Sequence, residues 1–474
     1  MLLLRLRLVK LYFGRMKTSS RRLFWIFPLF LLVFCSCDVH KKLAELHFKQ
    51  GVKKYEAGDR AGAINDFSDT IAQNPNLTEA YLYRGVIYLS ISNCTAAIKD
   101  FDKVIELDSG NAVAYADRGL ARQALRDYSE AATNFSEAIK LDPDSATAYK
   151  GRGMARTSLR DWEGAFEDFN EAVRLSPDDP EVYRDRAGLL IMRKEFENAI
   201  TDATYAIKLN DQDPLSYRFR GSGRLRLKDY EGALADFDDA IKLNPRDADS
   251  FVGRGTVRLI EGKLNAAEAD FTTATQLNPT NLFAMASLGL VKKKNGDLPG
   301  ALSIFIRAAE LAPKSPEILY NLGNIQNDSF QYIPALGNLR KVTELDQKMY
   351  YPRFRIWLIR TRLGERDEAT KELSANIKTR AGEEGHEWEL CIARFLVSDL
   401  TETNFFAQAT ATARRPTDLG GQQCEAFYYA GMKRLLDGDK PGAAELFGKC
   451  VGSGQDNYAE YTSAMVELRE LKMP

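Results

Sequence analysis

The sequence predicts an all-α protein, an α-solenoid of stacked helical hairpins. Three observations support this: glycine recurs every 34 residues, alanine follows each glycine after 12 residues, and proline closes many of the intervals. A fixed period of this length is typical of repeat proteins whose unit is one helical hairpin. The composition, 45% hydrophobic and 28% charged, supplies ample apolar content for a large core.

Nine units share this register, and we number each so that its glycine is position 8. Position 8 is Gly51, Gly85, Gly119, Gly153, Ala187, Gly221, Gly255, Gly289 and Gly323, in that order. Position 20 is Ala63, Ala97, Ala131, Ala165, Ala199, Ala233, Ala267, Ala301 and Ala335. A tenth unit keeps the register from Tyr350, although Trp357 replaces the glycine. The array therefore covers residues 44–383.

Each unit has room for two helices of ~14 residues, about 20 Å long, folded back at position 14. Positions equidistant from that turn should face one another, so we expect position 8 against position 20 and position 4 against position 24. Glycine opposite alanine would let the two backbones approach closely. Proline at position 32 of six units should end the second helix.

The matched residues resemble tetratricopeptide (TPR) repeats, as in Tyr81, Arg84-Gly85, Ala97 and Phe101. The resemblance implies a right-handed superhelix whose first helices line a concave groove for peptides or helices of other proteins. It implies a non-enzymatic, protein-binding function.

The register slips after residue 383. We expect an atypical helical hairpin and loop over residues 384–423, with the loop at 417–423, and then a last TPR-like unit with a capping helix over residues 424–474. Trp388-Glu389-Leu390, Cys424 to Tyr429 and Glu460-Tyr461 are similar to the tail of NlpI-type bacterial TPR lipoproteins. That resemblance implies an envelope adaptor that gathers cell-wall hydrolases and proteases.

An apolar stretch of 15 residues, Leu23 to Cys37, follows a basic segment. A membrane span needs ~20 residues, so this length is typical of a secretory signal. Met16 would begin a signal of ordinary length. The closing Ser-Cys pair resembles a bacterial lipoprotein signal, which implies cleavage before Cys37 and its acylation. We therefore expect residues 1–37 to be the signal and 38–43 a short linker. The alternative is an uncleaved anchor.

Arginine occupies position 7 in units two to seven, and position 23 is acidic in five of these six. The arginines are Arg84, Arg118, Arg152, Arg186, Arg220 and Arg254. The acids are Asp100, Asp168, Asp202, Asp236 and Asp270, with Asn134 in unit three. Units eight and nine lack both the arginine and the acid, which indicates that the two residues contact each other. We expect a ladder of such Arg–Asp contacts, either within a unit or to the next unit, that fixes how the units stack. Alternatively, the arginine stems cover apolar surface and their charges stay in water.

The resemblance places the groove at positions 2, 5, 9, 12 and 13 of the first helices. The candidate groove residues are Leu82, Val86, Leu89, Val113, Leu120, Lys150, Met154, Arg184, Ile191, Met192, Arg218, Leu225 and Arg226. This mixture suits an extended peptide or a partner helix whose acidic groups meet the arginines. The alternative for each residue is packing against a neighbouring helix.

The sequence does not support nucleic-acid binding, catalysis, or a metal or cofactor site. Beyond the seven basic residues of 1–37 the chain carries a net charge of −8, which argues against nucleic-acid binding. With three histidines and no phosphate-binding, GxSxG, HExxH or CxxC motif, no catalytic, metal or cofactor site is expected. Cys424 and Cys450, at positions 1 and 27 of the last unit, could form a disulfide in an exported compartment or remain buried thiols.

The sequence thus favours a non-enzymatic scaffold tethered by acyl chains to a bacterial envelope membrane, inner or outer. A cytoplasm-facing co-chaperone or assembly factor with an uncleaved anchor is the alternative. An enzyme is a third reading, opposed by the few residues left outside the repeats.

Overall fold

The computed structural model describes residues 26–380, 385–413 and 415–472, and side chains from residue 39 onward except at 416 and 417. The described residues form 25 helices and no strand. The predicted all-α class and its paired helical hairpins are confirmed.

The helices alternate with short turns along the whole array. They are α1 (Ile26–Glu56), α2 (Arg60–Gln73), α3 (Thr78–Ser90), α4 (Cys94–Leu107), α5 (Ala112–Ala124), α6 (Tyr128–Leu141), α7 (Ala146–Ser158), α8 (Trp162–Leu175), α9 (Pro180–Met192), α10 (Phe196–Leu209), α11 (Pro214–Arg226), α12 (Tyr230–Leu243), α13 (Ala248–Ile260), α14 (Leu264–Leu277), α15 (Leu282–Lys294), α16 (Leu298–Leu311), α17 (Pro316–Asp328), α18 (Tyr332–Leu345), α19 (Tyr351–Arg362), α20 (Arg366–Arg380), α21 (Glu387–Leu396), α22 (Glu402–Ala411), α23 (Pro416–Leu436), α24 (Lys440–Gly452) and α25 (Ala459–Lys472). The described residues form two compact bodies, one up to Asp211 with α1–α10 and one from Gln212 with α11–α25.

Every unit of the array bends at position 15, where the backbone is left-handed with φ between 58° and 90°. These residues are Gly58, Ser92, Arg126, Arg160, Lys194, Lys228, Gly262, Gly296, Phe330 and Gly364. Position 16 then caps the second helix, as where the Asn93 side chain accepts a hydrogen bond from the Ala96 N–H. The repeated turn gives each hairpin the same joint.

The glycine at position 8 packs against the phenylalanine at position 24, a contact not predicted from the sequence. A Cβ atom on Gly85 would lie 2.7 Å from Cε1 of Phe101. The ring packs against the bare backbone of the first helix and is wholly buried. The equivalent rings Phe67, Phe135, Phe169, Phe237, Phe271 and Phe305 are buried in the same way. The glycine therefore makes room for this ring.

The predicted linker at residues 38–43 is wrong, because those residues lie inside the single helix α1. No proline or glycine interrupts the chain between Cys37 and Gly51, so nothing ends the helix there. Of the predicted signal, residues 1–37, the first 25 residues lie outside the described residues. For residues 26–37 the backbone is described but the side chains are not. Among the described helices, none combines the length and apolarity needed to cross a membrane.

The predicted loop at residues 417–423 is also wrong, because α23 begins at Pro416. Proline fits the first turn of a helix, and Asp418 accepts a hydrogen bond from the Arg415 N–H at 3.1 Å, which fixes the helix start. The hairpin expected before it is present as α21 and α22.

Cys424 and Cys450 face each other across α23 and α24 as free, wholly buried thiols. Their Sγ atoms are 3.2 Å apart. Of the two alternatives left open by the sequence, buried thiols and a disulfide, the structure contains the buried thiols.

Candidate protein-binding surfaces

The arginines at position 7 each hold the position-23 residue of their own unit. Arg152 Nη2 lies 2.7 Å from Asp168 Oδ1, and Arg152 Nε lies 3.0 Å from the other carboxylate oxygen. The same paired contact occurs at Arg84, Arg186, Arg220 and Arg254. In unit three, Arg118 Nε donates to Asn134 Oδ1 at 2.6 Å. The contacts therefore run within a unit.

Five of these arginines also reach the second helix of the preceding unit. Arg118 Nη1 lies 2.6 Å from Asp102, and Arg152 Nη1 donates to Ser136 Oγ at 3.2 Å. Each guanidinium also lies over the aromatic ring at position 4, as Arg152 does at 5.5 Å from the centroid of Tyr149. One arginine thus joins three helices, and such contacts fix the spacing between units.

Arginines at position 11 add a second contact that sequence reasoning missed. Arg156, Arg224 and Arg258 bind the same carboxylates as the position-7 arginines, at 2.9, 2.8 and 2.7 Å. Their recurrence at one repeat position was visible in the sequence. Asp168, between Arg152 and Arg156, has a side chain only 3% exposed, so both charges are needed to compensate its burial.

We use the name first-helix face for positions 2, 5, 6, 9, 12 and 13 of the first helices. In the first body, Val113 and Met192 on this face are 57% and 59% exposed. Six apolar candidates instead pack on clusters within their own or adjoining units: Leu82, Val86, Leu89, Leu120, Met154 and Leu225. Ile191 is half-buried and Arg226 is exposed. The exposed candidates are therefore the ones available to a ligand.

Three basic candidates already have acidic neighbours. Lys150 Nζ lies 2.7 Å from Glu181 and 3.2 Å from Asp179. Arg184 pairs with Asp185 at 2.8 Å, and Arg218 pairs with Asp247 and Asp249 at 3.1 and 2.9 Å. The expectation that ligand acids meet these bases loses its main support, because their charges are compensated within the chain.

Asp117, at position 6 of unit three, differs from these residues. No contact pairs it with a basic group among the described residues, and its burial raises the pKa of its carboxyl to about 6. Position 6 shares a helical stripe with positions 2, 9 and 13. The first body thus presents an uncompensated acid on the same face as Val113 and Met192.

In the second body, α25 lies against the first-helix face of units eight to ten. Position 13 of each of these units contacts α25 or the turn before it. The contacts are Lys294 Nζ to Asp456 Oδ2 at 3.3 Å, Ser463 Oγ to Asp328 Oδ1 at 2.8 Å, and Arg362 Nη1 to Glu467 Oε1 at 2.8 Å. The predicted capping helix exists, and on this side it covers polar side chains rather than a hydrophobic face.

Arg355 lies at the centre of this contact and is wholly buried. It occupies position 6 of unit ten, where unit three has Asp117. Its Nη2 lies 3.2 Å from Glu460 Oε1, and its Nη1 donates to Tyr428 at 2.5 Å and to Ser463 at 3.2 Å. In unit ten, position 6 therefore receives the charge of an acid on α25.

Glu425 lies beside this cluster, on α23. Trp388 Nε1 donates a hydrogen bond to its carboxyl at 2.5 Å. Burial, and then repulsion from Glu460, raise the pKa of Glu425 to about 8. This acid is therefore mostly protonated at neutral pH.

Glu425→Gln is expected to remove a loss of stability that builds up between pH ~4.5 and about 8. The folded state holds the Glu425 proton more tightly than the unfolded state, so its contribution is complete below pH ~4.5 and declines as pH rises to about 8, by roughly 1 kcal/mol per pH unit. Urea denaturation from pH 5 to pH 9 should show the variant gaining over wild type as pH rises. The exposed Glu368→Gln is the control; parallel pH profiles for wild type and Glu425→Gln would contradict the prediction.

No group of three or more His, Cys, Asp or Glu side chains that could hold a metal occurs among the residues the structure describes.

Comparison with known proteins adds a family match. A tetratricopeptide-repeat family model matches residues 48–112, 116–180 and 220–281. No curated protein matches the sequence. Similar solved structures include MamA, 23% identical over 36% of this chain and 93% of that one, with a TM-score of 0.33.

Two further structures are similar. PilF of Pseudomonas aeruginosa is 18% identical over 44% of this chain and 96% of that one, with a TM-score of 0.40. A tetratricopeptide repeat protein from Parabacteroides merdae is 17% identical over 52% of this chain and 97% of that one, with a TM-score of 0.43.

The family match falls on the units whose period, turns and arginine contacts are described above. Such repeats form protein–protein interaction scaffolds, and proteins built from them are generally non-enzymatic. The chain therefore contains tetratricopeptide repeats.

Proposed function

We propose that this protein is a scaffold of a bacterial envelope, tethered to a membrane by acyl chains on Cys37, and that the first-helix face of residues 78–211 binds a helix of a partner protein. The observation that carries the binding proposal is the position of α25 against the first-helix face of the second body. In units eight to ten, the first-helix face already holds a helix, with one contact at position 13 of each unit. The same repeat positions in the first body offer an equivalent surface.

The charge at position 6 specifies the chemistry of that partner. Arg355 receives Glu460 in the second body, whereas Asp117 occupies the same position in unit three. A half-buried carboxylate gains most from a cation that reaches it. Val113 and Met192 supply exposed apolar contact. The ligand is accordingly an amphipathic helix with apolar residues and a lysine or arginine that meets Asp117.

Site-specific photo-crosslinking in native membranes tests this site. A photoreactive residue at Val113 or Met192 of the full chain should crosslink a partner segment, and one at the exposed Lys140 should not. Asp117→Lys should abolish the adduct, while the matched control Asp144→Lys, at an exposed turn, should leave it unchanged. Peptide mapping should find a helix with a basic residue. If the crosslinked adduct forms equally well with aspartate or lysine at residue 117, the proposed ligand is refuted.

Intact-mass analysis of the native protein tests the tether separately. A mass lacking residues 1–36 and carrying a lipid adduct supports acylation of Cys37, and Cys37→Ser should then release the protein from membranes. A mass that includes an unprocessed apolar segment supports the alternative, a cytoplasm-facing co-chaperone with an uncleaved anchor. The crosslinking result does not depend on which mass is found.

A further inference from the structure

We propose that the first-helix face of units eight to ten is a docking site for a helix with an acidic stripe, and that α25 is its resident occupant, which a partner helix of the same chemistry replaces. This site lies in the second body. It depends neither on the membrane tether nor on the ligand proposed for the first body.

The residues that face this site form one stripe along the segment. They are Asp456, Glu460, Ser463 and Glu467, spaced at intervals of four, three and four residues. Glu460, Ser463 and Glu467 share one face of α25, and Asp456 lies in the turn just before it. Contacts from this stripe reach Lys294 in unit eight, Asp328 in unit nine and Arg362 in unit ten. The stripe therefore spans all three units.

The charges along the face are matched to that stripe one by one. Lys294, Arg355 and Arg362 each contact an acid, and Asp328 instead accepts a hydrogen bond from the hydroxyl of Ser463. Asp328 is itself compensated by Lys293 at 2.8 Å. An acid in place of Ser463 would lie against the Asp328 carboxylate as well as Arg355, and it could not donate the hydrogen bond that Asp328 accepts from the hydroxyl. The pattern acid, acid, hydroxyl, acid is therefore the specificity of the site.

The polar character of this contact allows its occupant to be exchanged. Buried ion pairs owe much of their cost to lost hydration, and both partners regain water when they separate. The face beneath α25 also carries Asn324, Asn327 and Asp328 as buried polar residues. The adjoining side of α25 contributes Ala464, Leu468 and Leu471 to the apolar core of the last hairpin. A replacing helix must therefore be amphipathic as well as acidic.

A labelled synthetic peptide of residues 453–472 provides the probe, and the full chain is its target. Glu467→Lys places a lysine against Arg362 and should loosen α25. We expect the peptide to bind this variant about tenfold more tightly than wild type, measured by fluorescence anisotropy. Glu470→Lys is the matched control, because Glu470 is exposed on the same helix and should leave binding at the wild-type level. Should Glu467→Lys not fold, Glu467→Gln gives the same test with a smaller gain.

A charge exchange identifies where the peptide binds. Adding Arg362→Glu to the Glu467→Lys chain should abolish binding of the wild-type peptide. A peptide with lysine at the place of Glu467 should bind the singly changed Arg362→Glu chain instead. Circular dichroism checks that the helices are retained. Two results would overturn the proposal. One is a folded Glu467→Lys or Glu467→Gln chain that binds the peptide no better than wild type. The other is peptide binding that does not change with the charge of residue 362.

Discussion

Arg355→Met is expected to destabilise the second body by about 3–5 kcal/mol, the usual cost of leaving one charge of a buried pair alone. Glu460 is 3% exposed and would keep only the hydroxyl of Tyr429, which donates to it at 3.1 Å. Hydrogen exchange of residues 416–472 in the full chain measures the loss locally, since a chain of two bodies need not unfold in one step.

The double variant Arg355→Met/Glu460→Gln is the control for this interpretation. Removing the second charge should recover at least half of the loss, because a neutral amide tolerates burial better than a carboxylate. Equal destabilisation of the single and double variants would show that Arg355 acts through its packing on Tyr428, whose ring centroid lies 4.7 Å away, and not through charge.

Gly151→Leu is expected to destabilise the first body by about 3 kcal/mol, near the upper range for overpacking. A Cβ atom on Gly151 would lie 2.4 Å from Cζ of Phe135. Phe135 is wholly buried and also fills the space beside Gly119, so its ring cannot move away. Urea denaturation followed by the fluorescence of Trp162, on the next helix, measures the effect.

Gly337→Leu makes the same substitution on helix α18, where nothing lies within 4 Å of the added Cβ. We expect it to be neutral or to stabilise by up to about 1 kcal/mol, because leucine favours helix more than glycine does. Similar losses for the two variants would mean that the Phe135 contact is not the cause.

The sequence predicted those features that repeat. The 34-residue period located the hairpins, and the joint occurrence of arginine at position 7 and acid at position 23 indicated contacts such as Arg152 with Asp168. The contact between the glycine and the position-24 ring was not predicted, because symmetry about the turn says nothing about where a large ring such as Phe169 fits. The acceptors at position 25, such as Ser136, vary too much in type to be noticed.

The position of α25 against units eight to ten could not be predicted in the same way. Arg355 and Glu460 are 105 residues apart, and neither belongs to a repeating pattern. Their contact depends on how the last hairpin folds back, which local propensity does not determine. The errors at residues 38–43 and 417–423 have a simpler cause, since both segments are helical although neither belongs to a repeat.

The identical bend at position 15 has a genetic consequence. Each unit turns through the same joint between its two helices, and the position-7 arginines contact their own unit and, in five of six cases, the unit before it. Duplication or loss of one 34-residue block in the gene would therefore rejoin equivalent backbone without inventing a new turn. The length of the array, and with it the reach of its ligand surface, is a quantity that recombination can adjust in whole steps.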